Sequence, residues 1–135
     1  MPDDTERLVQ ILLGEAAGEG IEGLTLVRDT LYNRAKAKGK TLLQVALEPK
    51  QFTAASRKDL PEFTLQQPML LRNLAEQLIR ETEDKAFQPT HATRHYVTKD
   101  LWDSRGTLKK DHWLNNMKVV QQVGNHVALT DAREQ

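Results

Sequence analysis

Two glutamates four residues apart, Glu15 and Glu19, stand in the run Gly14-Glu15-Ala16-Ala17-Gly18-Glu19 near the start of a 135-residue chain. On a helix that spacing puts both carboxylates on one face, about one turn apart. Leu12, Leu13 and Ala16 flank Glu15. A carboxyl held among apolar groups keeps its proton at neutral pH, which a general acid requires. The plainer expectation for both is a solvated helix glutamate. The four histidines are the other titratable candidates. His91 and His95 have His-x-x-x-His spacing, and His112 and His126 would add metal ligands. Pro89, Thr90 and Thr93 disfavour a helix there, and no Glu follows His91 as a His-Glu-x-x-His metal site needs. Phe52, Tyr96, Trp102 and Trp113 offer flat apolar faces that could stack on a ring-shaped polar ligand, the two tryptophans serving equally well as core anchors. Tyr32, beside Asn33 and Arg34, reads as a packing residue.

The elements that must position these groups are mostly helical. Asp3, Asp4 or Thr5 can cap a first helix with Leu8, Ile11, Leu12 and Ala16 at helical spacing, punctuated by Gly18 and Gly20. A second helix is predicted over 21–38, burying Leu24, Val27 and Leu31 and stopping at Gly39. A short third, over 41–47, ends before Pro49. Residues 48–67 read as a long loop, which in a compact domain is usually functional or disordered. Pro68 suits an early position in a fourth helix through Thr82, with Met69, Leu71, Leu74 and Leu78 available for burial. Beyond Pro89 the pattern turns extended: 93–98 first, then 117–122 and 125–130 as two strands joined around Gly124. The fold class expected is α+β, mainly α-helical, with a small β element at the C-terminal end, forming one domain over 1–135.

Composition excludes several classes. The chain has 19 Lys+Arg against 19 Asp+Glu and no Cys. No disulfide framework or cysteine zinc site is possible, and the balanced charge argues against a nucleic-acid binder. Leu8–Leu13 is too short to span a bilayer, so no membrane insertion is expected. The acidic start lacks the basic and apolar regions of a secretory signal, so synthesis in the cytoplasm is expected. Lys36, Lys38, Lys40, Lys109 and Lys110 read as solvated surface.

Read together, Gly14-Glu15-Ala16-x-Gly18-Glu19, Tyr32-Asn33-Arg34, Pro49-Lys50-Gln51-Phe52-Thr53 and Val123-Gly124-Asn125-His126-Val127 resemble, in order, the motifs of the SleB/CwlJ-type cell-wall hydrolases. That family includes spore-cortex-lytic enzymes and related phage lysins. The resemblance runs from about Leu8 to Leu129 and departs from the family at Ala17 and Ala128. It implies a lysozyme- or lytic-transglycosylase-like domain that cuts peptidoglycan glycan strands, with no cofactor and no metal. Glu15 matches the catalytic glutamate, while Glu19, Gln51, Phe52, Tyr96 and His126 match substrate-binding or orienting positions. Cleaving a β-1,4 glycosidic bond needs a proton on the leaving oxygen. Hydrolysis and anhydro-ring-forming transglycosylation both remain open, with Glu15 as the single acid. Glu19 is expected to orient the site, bonding backbone N–H groups near the start of the second helix. A chain without a signal would reach the wall through a holin or inside a virion. The alternatives are a metal-dependent peptidoglycan amidase or peptidase using the histidines, and a non-enzymatic phage structural or wall-binding module.

Overall fold

A computed structural model describes residues 3–48 and 52–131. Helix α1 (Asp4–Ala16) is capped by Asp3, whose carboxylate accepts the Glu6 N–H at 2.8 Å, and it buries Leu8, Ile11, Leu12, Leu13 and Ala16. A short 3-10 turn, Ala17–Glu19, leads into α2 (Gly20–Lys38), which closes on Gly39 in the left-handed conformation that glycine adopts without steric cost. Helix α3 (Leu42–Ala46) begins with a capping box between Thr41 and Gln44.

The segment expected as loop over 48–67 is partly ordered helix: a 3-10 turn at Thr53–Ser56, then α4 (Leu60–Gln66) with proline in its first turn. Seven residues with one buried aliphatic, Leu60, give too little periodicity to be read from sequence. Helix α5 (Met69–Glu81) follows, with Pro68 as its N-cap and Ala75, Leu78 and Ile79 buried. Met69 is exposed, not buried as expected, because it sits at the outer end of the α4–α5 elbow with Leu65 and Leu70. The helices share one core in which Leu12, Leu13, Leu24 and Leu31 are fully buried, each stabilising by about 1.5–3 kcal/mol. No helix among the described residues is long and apolar enough to cross a membrane.

A three-stranded antiparallel sheet follows, in the order β1 (His95–Thr98), β3 (His126–Asp131), β2 (Met117–Val123). The protein is thus α+β, mainly helical, with its small β element near the C-terminal end. Between β1 and β2 lies a further short helix, α6 (Lys99–Asp103), and Val120 bulges out of the β2–β3 register. The sheet is covered on both faces. Val97, Val127 and Leu129 pack with Leu114 and Trp102 on one side. Ala128, Val123 and Tyr96 press on Leu26 of α2 on the other.

A buried polar cluster fixes the connection between α5 and β1. Asp29, fully buried, accepts Arg28 Nε at 2.8 Å, the His91 backbone N–H at 2.9 Å and sits 3.0 Å from His91 Nδ1. Arg28 also donates to the Leu78 carbonyl and to Glu81 at the end of α5. Asn33 Nδ2 bonds the His91 and Thr93 carbonyls, both at 2.8 Å. The Thr93 hydroxyl then reaches the Leu129 carbonyl. Through these bonds α2 sets the height at which β1 enters the sheet, and with it the place of Tyr96.

Candidate active site

Glu15 lies in the last turn of α1, half-buried, and both its oxygens face donors. Tyr96 Oη donates to Oε1 at 2.5 Å, across 81 positions of sequence. The Ala54 N–H donates to Oε2 at 2.9 Å, and Thr53 Oγ1 stands 3.4 Å from the same oxygen. A carboxylate has about four acceptor positions, so one on Oε1 is left for a proton or a ligand.

The loop comes to Glu15 for two reasons of local structure. The 3-10 turn Thr53–Ser56 opens with unpaired N–H groups, and its cap residue Phe52 has no side chain able to accept them. Glu15 supplies that acceptor from another element. The approach is close because position 14 is glycine. A Cβ there would lie 2.7 Å from Ala54 Cβ and 2.8 Å from Leu60 Cδ1.

Tyr96 points from β1 into the helical side of the sheet, beside the small side chain of its cross-strand partner Ala128. Its ring meets His126 edge-on, with centroids 5.0 Å apart, and lies 6.2 Å from Phe52. Burial pushes the Tyr96 hydroxyl well above the usual tyrosine value, and the charge and hydrogen bond of Glu15 push the same way; Arg34 opposes them. Tyr96 therefore stays a phenol, and a donor to Glu15, at any physiological pH. The Arg34 guanidinium sits 5.3 Å from the Phe52 ring centre, donates to the Arg94 carbonyl and lies 3.3 Å from His95 Nδ1. Burial lowers its pKa, against the opposite pull of Tyr96 and Glu48.

Glu19 has a different place from the one expected. It bonds the β2–β3 hairpin, not the start of α2: Oε2 accepts the Asn125 N–H at 3.0 Å, across 106 positions. Gly124 is required there twice over. Its φ is 56°, and a Cβ would fall 1.8 Å from Glu19 Oε2. At Gly23, likewise, a Cβ would fall 2.3 Å from Glu19 Cβ. Glu19 thereby fixes the turn just before His126.

The other candidates divide. Phe52 is buried, 4% exposed, so its ring belongs to the core beneath the site and does not offer an open face as groove wall. His126 joins the site through Tyr96, and both of its ring nitrogens are buried without a hydrogen-bond partner. Gln51 lies outside the described residues. Trp102 is half-buried under the Arg105 guanidinium, whereas Trp113 is exposed. Tyr32 packs edge-on against Phe87.

The histidines do not converge. His91 is bound to Asp29, His95 faces Arg34, His112 Nδ1 accepts the Leu114 N–H, and His126 lies on Tyr96. Among the described residues no three His, Asp or Glu side chains are grouped to hold a metal ion. The contributors that sequence reasoning missed are the Ala54 N–H and the tie from Glu19 to the hairpin. A backbone donor has no side-chain signature, though the Gly124-Asn125 turn could have suggested the second. No protein-family model, curated protein or solved structure matches the chain.

Proposed function

We propose that the protein cleaves peptidoglycan glycan strands at the MurNAc-β-1,4-GlcNAc bond, with Glu15 as the single catalytic acid on a lysozyme-like α+β fold. One observation supports this reading: Glu15 and Tyr96, 81 positions apart in sequence, meet at one half-buried carboxyl, and His126 packs against the Tyr96 ring. In the reaction the protonated Glu15 carboxyl gives its proton to the glycosidic oxygen as the C1–O bond breaks and positive charge develops on the sugar. Tyr96 and the Ala54 N–H hold the carboxyl group in one orientation throughout, an advantage that grows as the reacting atoms approach. The resulting carboxylate then takes a proton from whichever nucleophile closes on C1. A water gives a reducing sugar; the sugar's own C6 hydroxyl gives an anhydro ring. Glu19 is committed to the hairpin, so the second route, which needs no further carboxylate, fits the arrangement well. The biological role that follows is bacterial lysis, the protein reaching the wall with a holin or as part of a virion.

The test is clearing of purified sacculi. Wild type is expected to clear them and Glu15→Gln to fail, with unchanged circular dichroism and with wild-type activity retained in a chelator. Equal clearing by Glu15→Gln would remove Glu15 from the chemistry. Loss on chelation, restored by metal, would favour the metal-dependent amidase. Mass spectrometry of the released muropeptides separates the two products, which differ by one water.

A further inference from the structure

Trp113 is the one exposed aromatic side chain among the described residues, at 44%. It does not stand on a loose loop. The His112 N–H bonds the Lys109 carbonyl at 2.9 Å, and Asn115 Nδ2 bonds the Lys109 and Lys110 carbonyls at 2.9 and 3.2 Å. The next residue, Leu114, is fully buried under the sheet. The indole is thus held outward from an ordered 3-10 turn, Trp113–Asn116, where the chain gains nothing from it as core.

Its neighbours have the chemistry of a sugar site. The His112 ring stacks on the indole at 6.0 Å and 27°. His112 Nδ1 accepts the Leu114 N–H at 3.2 Å, so the neutral ring carries its proton on Nε2, as a donor directed away from the backbone. His95 lies 5.5 Å from the indole; on β1 it turns to the sheet face opposite Tyr96, and its Nδ1 is 3.3 Å from Arg34, whose guanidinium sits by the Phe52 ring. An exposed indole beside a fixed N–H donor suits a pyranose ring, whose C–H face is apolar and whose edge is polar. A lipid surface would call for a cluster of exposed apolar groups, and here the flanking residues are Lys109, Lys110 and Asp111.

We propose that the Lys109–Asn116 loop is a glycan subsite: Trp113 stacks on an N-acetylhexosamine unit of a glycan strand, and His112 Nε2–H donates to its hydroxyl or acetamido oxygen. The assignment of this strand to the Glu15 site rests on the function proposed above. Trp113 and His112 bind and position; they take no part in bond cleavage.

The experiment uses the Glu15→Gln protein, so that ligand is not consumed, with chitohexaose and purified sacculi as probes. Chitohexaose is titrated by tryptophan fluorescence and calorimetry; sacculi are scored by co-sedimentation. Adding Trp113→Ala is expected to weaken both by about tenfold or more, and Trp113→Tyr to restore most of the loss. His112→Asn keeps an acceptor for the Leu114 N–H but loses the outer donor, and should weaken binding several-fold with an unchanged melting temperature. In the active protein, Trp113→Ala should raise KM and leave kcat within about twofold. No binding of either probe, or binding by Trp113→Ala within twofold of its parent, overturns the subsite. If wild type fails to clear sacculi while Trp113-dependent binding persists, the cleavage reading falls and the sugar site stands. If wild type clears them with a KM indifferent to Trp113→Ala, the reverse holds.

Discussion

Replacing Tyr96 by Phe deletes one hydroxyl and leaves the ring packed among Leu26, Ala128 and His126. What is lost is the 2.5 Å bond to Glu15 Oε1. The protonated acid is uncharged, and a hydrogen bond between neutral groups is worth about 0.5–1.5 kcal/mol; each 1.36 kcal/mol is tenfold in rate. Glu15 is only half-buried, so water can take over part of the contact, and tenfold is the upper bound. The expected result is a kcat about three- to tenfold lower on sacculi, measured by initial clearing rate, with KM unchanged and stability lowered by no more than about 1.5 kcal/mol. The same variant has an alkaline signature. In the native protein Tyr96 titrates well above 10, in the unfolded chain near 10.0. The native state keeps a proton that the unfolded state has released. The stability this provides is whole below pH 10, and it falls by about 1.4 kcal/mol per pH unit as pH rises from there towards the folded value. Tyr96→Phe should lack that component, so its denaturation midpoint should decline less steeply above pH 10. A Tyr96→Phe enzyme with kcat within twofold of wild type would refute the claim that the Tyr96 bond holds the acid in place.

Two stability predictions accompany it. Gly124→Ala forces a left-handed residue to carry a side chain and drives its Cβ into Glu19 Oε2; a loss of about 2–4 kcal/mol is expected in urea unfolding. A loss below about 1 kcal/mol would mean that the Glu19–hairpin tie does not hold the turn. Asp29→Ala strips a buried carboxylate from Arg28 and His91 and leaves a guanidinium with one partner carboxylate, Glu81, at its rim; the expected cost is about 3–5 kcal/mol. A change in melting temperature of only a degree or two would show that the cluster is replaceable.

The sequence made the first three helices and the hairpin legible because their signals are local. Asp3 and Thr41 cap, Gly39 and Gly124 turn the chain at positive φ, and Leu8, Ile11 and Leu12 repeat at helical spacing. It hid α4 and α6, which are too short to show a period. The burial of Phe52 and the exposure of Met69 were illegible for another reason: each depends on what packs against it from distant parts of the chain. The same holds for the site. Glu15 was visible as a motif residue, yet what surrounds it is Tyr96 and a backbone N–H, not the apolar pocket that Leu12, Leu13 and Ala16 suggested. Those three side chains turn into the helical core instead.

The two glutamates divide one task between them. Glu15 draws the Thr53–Ser56 turn and β1 to the end of α1; Glu19, one turn on, draws the β2–β3 hairpin to the start of α2. Each carboxylate thus joins the helical layer to a part of the chain that local structure would not bring there. The difference lies in how each is held. Glu19 makes one hydrogen bond, to the hairpin, with Gly23 and Gly124 close against its side chain. Glu15 is braced on both oxygens, by Tyr96 on Oε1 and by the Ala54 N–H on Oε2, so its carboxyl has a fixed orientation. That contrast makes Glu19→Gln the informative variant. Gln keeps an oxygen for the Asn125 N–H, so a Glu19 that only orients should tolerate the change where Glu15 does not.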